Sequence, residues 1–98
     1  MSFYIGTIRI TYDELIEKLG NPNEEFGDDK THAEWIIKHP TKNYDIYIYD
    51  YKTEKLPYEE YNWHIGGYDD EGDLEVIQNI FKDKVIKNEF NQIFKKTT

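Results

Sequence analysis

One alternating run, Tyr44-Asp45-Ile46-Tyr47-Ile48-Tyr49-Asp50-Tyr51, constrains the fold of this chain more than any other stretch. A strand sends successive side chains to opposite faces. Tyr44, Ile46 and Ile48 therefore share one face, and Asp45, Tyr47, Tyr49 and Tyr51 share the other. The first is an ordinary core face. The second is a row of phenols beside a carboxylate, suited either to touching a ligand or to lying under a helix.

The neighbouring segments supply partners for that strand. Phe3 to Ile10 alternates β-branched and polar residues and predicts a first strand. Thr11 and Glu14 form a Thr-x-x-Glu capping box, Leu15, Ile16 and Leu19 give the following helix an apolar stripe, and Gly20 ends it. Glu24 to Asp29 is expected to be a polar loop. Thr31 to His39 predicts a second strand, with Ala33, Trp35 and Ile37 on one face and His32, Glu34, Ile36 and Lys38 on the other. Pro40 to Asn43 turns the chain back, so the tyrosine strand returns antiparallel. Tyr61 to Tyr68 is the next strand, after a loop over Lys52 to Glu60.

Asp73 is placed to cap a last helix whose apolar positions are Leu74, Ile77, Phe81 and Val85. Ile86, Phe90, Ile93 and Phe94 continue the helical spacing toward the C-terminus, with a break around Asp83. The expected class is α+β, in the order β-α-β-β-β-α, one antiparallel sheet packed by two helices. Residues 1–85 form a single domain on this reading, and 86–98 are a C-terminal helical extension of it.

Composition narrows the function. Ninety-eight residues suit one domain, and 9 Tyr, 5 Phe and 2 Trp supply enough apolar area for a core despite 33% charged residues. A net charge of −8 repels nucleic acid and anionic membranes. With no cysteine, disulfides, thiolate metal sites and cysteine nucleophiles are excluded. Ser2 is the only serine, no glycine-rich phosphate loop is present, and His32, Glu34 and His64 lack a metal-binding spacing. No catalytic residue, metal or cofactor is therefore expected. Met1 to Gly6 shows no basic segment leading into an apolar run, and no stretch of the sequence is apolar enough to span a membrane, so neither secretion nor a membrane partner is expected.

Two sets of residues remain as sites. The first is a ligand-binding face of Arg9, His32, Glu34, Tyr47, Tyr49, Trp63, His64, Gly66 and Gly67, where phenols stack on a base and Arg9, with Lys30 and Lys38, offsets phosphate charge. Gly66-Gly67 would let a ligand approach the backbone beside His64, or would simply end the strand. The second is an acidic patch of Asp69, Asp70, Glu71 and Asp73, which could dock a basic partner.

Gly6-Thr7-Ile8-Arg9, Tyr12-Asp13-Glu14-Leu15, Leu19-Gly20-Asn21-Pro22, Lys30-Thr31-His32-Ala33-Glu34-Trp35-Ile36, Ile48-Tyr49-Asp50-Tyr51-Lys52 and Trp63-His64-Ile65-Gly66-Gly67 occur in that order. Together they resemble a group of small proteins of bacteriophages and large DNA viruses, over roughly residues 4–82. That resemblance implies a non-enzymatic counter-defence protein in the cytoplasm of the infected host cell, sequestering a small nucleotide-type immune signal. An acidic inhibitor or DNA mimic bound to a host defence protein is the alternative. A structural or assembly protein, with the C-terminal tail making a homo-oligomer, is a third expectation.

Overall fold

Ile46 and Ile48 are fully buried, while Asp45, Tyr47 and Tyr49 stay half-buried, as their spacing predicts. They lie on one strand of a computed structural model that describes residues 2–28 and 31–94. The elements in order are β1 (Phe3–Ile10), α1 (Tyr12–Leu19), β2 (Glu24–Asp28), β3 (Thr31–Lys38), β4 (Asp45–Tyr49), β5 (Tyr61–Gly67), α2 (Asp70–Ile80) and β6 (Val85–Asn88). The fold is α+β. Its single sheet is antiparallel throughout, in the order β2-β3-β4-β5-β1-β6, and two helices pack on it. Among the described residues no helix is long and apolar enough to cross a membrane.

Both helices cover the same face. The core joins Ile8, Ile10, Trp35, Ile46, Ile48, Trp63 and Ile65 of the sheet to Leu15 of α1 and to Leu74 and Ile77 of α2. Trp35 and Trp63 meet edge to face at 5.4 Å, and each indole N–H finds a carbonyl, of Gly20 and of Ile10 respectively. A buried indole needs such a partner. α1 begins with the expected box: Thr11 Oγ1 accepts from the Glu14 N–H at 3.1 Å, and Glu14 Oε1 accepts from the Thr11 N–H at 3.1 Å. It ends at Gly20, whose φ of 86° suits glycine.

Three expectations are corrected. Glu24 to Asp28 is a strand rather than a loop, paired to β3 through Glu24↔Glu34, Glu25↔Ala33 and Asp28↔Thr31. An edge strand needs only one partner and tolerates charged residues and glycine, so hydrophobic patterning does not reveal it. Residues 86–94 of the expected helical extension 86–98 do not continue the last helix: α2 stops at Ile80, and β6 pairs with β1 from Gly6↔Asn88 to Arg9↔Val85. Gln78 stabilises the stop, since its Nε2 donates to the carbonyls of Phe81 and Lys84. Beyond β6 the chain folds back along it: Ile93 bridges to Lys87 and the Phe94 N–H donates to Ile86 O. Lys30, expected beside Arg9 and Lys38, and residues 95–98 of the expected extension lie outside the described residues.

The third correction concerns Asp73, which is not the cap of α2. Asp69 holds that position, and Asp73 sits a turn further in, fully buried. Its Oδ2 accepts from the N–H groups of Tyr68 (2.8 Å) and Asp69 (3.1 Å), and its Oδ1 from the Tyr44 hydroxyl (2.8 Å). His39 Nε2 lies 3.4 Å from Oδ1. His39 Nδ1 accepts from the N–H groups of Thr41 and Lys42, both at 3.0 Å, so the ring proton sits on Nε2 and points at Asp73. Burial first, then the bond to Asp73, pushes the Tyr44 phenol up to about 12.

Removing this carboxylate takes the acceptor at once from the Tyr68 and Asp69 N–H groups, the Tyr44 hydroxyl and the His39 ring. Asp73→Ala is expected to cost about 3–5 kcal/mol, read from urea unfolding. Tyr44→Phe, which leaves the backbone bonds of Asp73 in place, should cost only about 1 kcal/mol. Equal losses for the two variants would show that the backbone bonds contribute nothing.

Candidate functional site

The face opposite the helices is where the expected ligand residues can be placed one by one. Directly opposed residues on antiparallel strands point the same way, so the register alone draws the surface. One row runs through Glu34 on β3, Tyr49 on β4, His64 on β5, Thr7 on β1 and Lys87 on β6, and beyond these five its backbone register continues to Glu24 on β2. All five are half-buried. A second row runs Ile36, Tyr47, Gly66, Tyr4. A third pairs Asn62 with Arg9 and Arg9 with Val85.

His64 is the hub of the aromatic contacts. Tyr51 stacks on it at 5.4 Å with 29° between planes, Tyr4 lies 4.8 Å away on a tilt, and Tyr49 meets it edge-on at 5.5 Å. Burial pushes the His64 imidazole below its usual value, with the Asp50 charge opposing, so the ring is neutral near pH 7. Burial likewise raises the phenols of Tyr4, Tyr47 and Tyr49, and nearby carboxylates add to it: Glu89 for Tyr4, Glu34 for Tyr49, Asp45 and Glu34 for Tyr47. All three remain hydroxyl donors at neutral pH. The surface is thus a protonated, largely uncharged aromatic slab with ions at its margins.

Most of the expected residues fall on this face, and some do not. Arg9, Glu34, Tyr47, Tyr49, His64 and Gly66 share it. Arg9 is half-exposed, with its Nε 3.4 Å from Glu60 Oε1, a surface pair that a ligand can displace at little cost. A Cβ on Gly66 would approach Ser2 Oγ at 2.9 Å and the Tyr49 ring at 3.4 Å, which places this glycine beneath the aromatic surface. Trp63 is a correction: it is fully buried on the helix side, packed against Trp35. Gly67 is another, because its missing Cβ would point at Asp73 and Ile5 in the core. Its role is close packing of α2. In the acidic patch, Asp69, Asp70 and Glu71 are exposed, and Asp73 is withdrawn into the core.

His32 belongs to a separate cluster at the end of the face. Its Nδ1 donates to Asp50 Oδ2 at 2.7 Å, and its backbone N–H and that of Ala33 bond Asp50 Oδ1 at 2.8 and 3.0 Å. Thr53 donates its hydroxyl to the same Oδ2. Burial alone would raise the Asp50 carboxyl, but these bonds outweigh it and hold the group below the usual carboxylate value. The Thr53 hydroxyl lies on the Nδ1 side of His32, 3.0 Å away, so the ring and hydroxyl are not arranged as base and nucleophile. His32, Glu34 and His64 do not converge either, since β4 with Tyr49 lies between β3 and β5. Among the described residues no group of three metal-ligating side chains occurs.

Tyr4, Thr7, Tyr51 and Lys87 join this surface without having been singled out as ligand residues. Thr7 was legible in the alternation of β1. Lys87 was hidden by the helical spacing of the residues around it.

The lowered His64 value has a stability consequence. An imidazole whose folded pKa lies below its unfolded one takes up its proton first in the unfolded chain. Its contribution is complete above about pH 6.5 and is lost as pH falls from there toward the folded value. Melting curves from pH 7 to pH 5 should therefore show a loss of stability that is smaller in His64→Phe, which keeps a ring but cannot titrate. An identical loss in both proteins would mean that His64 is not desolvated. No family model matches this chain, and neither a curated protein nor a solved structure is found similar to it.

Proposed function

We propose that this protein is a non-enzymatic binding protein that holds a small nucleotide-type ligand on the open aromatic face of its sheet. The observation that carries this reading is the cluster of Tyr4, Tyr49 and Tyr51 around His64, on the face opposite to both helices. Tyr47 lies beside it, and Gly66, between Tyr47 and Tyr4 in register, has no side chain of its own, so the Tyr49 ring and Ser2 pack over its backbone. Each base stacked on such a ring gains about 1–3 kcal/mol whatever its identity. The net charge of −8 disfavours a long polyanion, while one small nucleotide needs only a local cation such as Arg9 or Lys87. In the viral setting that the sequence resembles, sequestering such a ligand would withdraw a signal from host defence in the infected cytoplasm.

The acidic-inhibitor reading has less support, because burial of Asp73 leaves Asp69, Asp70 and Glu71 as its only exposed members. Phe90 and Ile93, 73% and 62% exposed in the turn after β6, are the contacts an assembly role would use.

A thermal-shift screen against nucleotides, cyclic oligonucleotides and ADP-ribose derivatives tests the proposal. A ligand at 100 times its Kd stabilises the native state by about 2.7 kcal/mol, enough for a clear rise in Tm. Tyr49→Ala should weaken the hit at least tenfold, and Asp70→Asn should leave it unchanged. No rise across the panel would overturn the reading.

A further inference from the structure

The turn after β4 is pinned at both ends. The Thr53 hydroxyl donates to Asp50 Oδ2, and Asp50 Oδ1 is fixed by the backbone N–H groups of His32 and Ala33. Tyr51 and Lys52 cross between these anchors, and the Tyr51 N–H reaches the Tyr61 hydroxyl at 3.4 Å. Lys52 makes the crossing with a φ of 59°, in the left-handed region. Glycine and asparagine enter that region readily, whereas a lysine there is held by its surroundings. Strained backbone of this kind collects at active sites and ligand clamps.

Here the strain aims a cation at the aromatic cluster. Lys52 Nζ lies over the Tyr51 ring, 5.3 Å from its centroid, and Tyr51 is the ring stacked on His64. Both residues are exposed. Among the described residues no carboxylate pairs with Lys52. Asp50, two positions back, is fully buried, and its charge is taken up by four hydrogen bonds. The cations across the sheet stand differently. Arg9 is already paired with Glu60, and Glu89 acts on Tyr4 at the margin where Lys87 lies.

Resting on the nucleotide reading above, we propose that Lys52 is the phosphate-binding residue of the aromatic face, so that a bound nucleotide carries its phosphate toward the turn after β4 and not toward Arg9 or Lys87. An exposed ammonium over a phenol ring is a weak contact, while the same ammonium on a phosphate makes a charge-assisted bond. Leaving the ring costs little, because a base takes the place of the ammonium on it. The flexible four-carbon stem lets the charge swing while the backbone stays in place. In the free chain Lys52 therefore covers Tyr51 as a tethered stand-in, and the ligand replaces it there and captures it at the phosphate.

The test is calorimetric titration of the full chain with the four ribonucleoside 5′-monophosphates and their nucleosides, at two salt concentrations, repeated with Lys52→Gln, Lys52→Arg and Lys87→Gln. A monophosphate should bind the native chain about tenfold more tightly than its nucleoside. Lys52→Gln should remove that advantage and the salt dependence that accompanies it, and leave the nucleoside unchanged. Lys52→Arg should keep the advantage, and Lys87→Gln should not alter it. A melting temperature of Lys52→Gln close to that of the native chain confirms that the turn is intact. A phosphate advantage that survives Lys52→Gln, one that is lost in Lys87→Gln, or equal binding of monophosphate and nucleoside would overturn the assignment and leave the nucleotide site standing. Where all eight probes fail but the broader screen gives a hit, Lys52→Gln should weaken that hit about tenfold, and an unchanged affinity would overturn the assignment. Where the screen is empty as well, the nucleotide reading and this assignment are both overturned.

Discussion

Only one face of this sheet offers a continuous apolar surface, and everything else follows from that asymmetry. Ile8, Ile10, Ile46, Ile48 and Ile65 with the paired indoles of Trp35 and Trp63 form it. Two amphipathic helices compete for burial, and both find it there. At roughly 25 cal/mol per Å² of apolar area, neither helix gains comparably from the tyrosine side, where phenol hydroxyls and ions would need new partners. The open face is therefore a product of the core and not a gap in it.

Two buried carboxylates tie the loops to this frame, by the same device on different elements. Asp73 gathers backbone N–H groups at the end of β5, the Tyr44 phenol and the His39 ring. Asp50 gathers backbone N–H groups at the start of β3, the His32 ring and the Thr53 hydroxyl. In each case two consecutive backbone N–H groups at the end of a strand donate to a carboxylate, and an imidazole closes the cluster. Charge buried in this way is tolerated because every oxygen is used. The two clusters lie to either side of the tyrosine strand in sequence, so its ends are anchored while its middle presents rings.

Much of this was readable from residues alone. The two faces of β4, the capping box of Thr11 and Glu14, the stop at Gly20 and the core placement of Trp35 all follow from period and local chemistry. Edge strands were not readable. β2 is written Glu24-Glu25-Phe26-Gly27-Asp28, with one apolar side chain among acids and a glycine, and β6 holds Val85 and Ile86 at positions that also continue a helix. Both are set by pairing with a neighbour distant from their own pattern. Trp63 and Gly67 misled for a related reason: beside His64 and Gly66 in sequence, they lie across the sheet from them. The cross-strand row from Glu34 to Lys87 depends on strand order, which no local pattern encodes.

The chain beyond β6 returns along it, with the Phe94 N–H on Ile86 O and the Asn88 N–H on Gln92 O. This fold-back occupies hydrogen-bonding groups on that margin of the sheet, and among the described residues β2 is the opposite margin, paired on one side with β3. A strand seeking to add to this sheet would meet the segment Glu24-Glu25-Phe26-Gly27-Asp28, three acids around one phenylalanine, and a second copy would bring the same three acids. Like charges brought side by side oppose such pairing. Against edge-to-edge strand addition the sheet would thus set a covalently attached flap at one margin and a run of like charges at the other. The flap is indifferent to acid and salt; the repulsion yields to both.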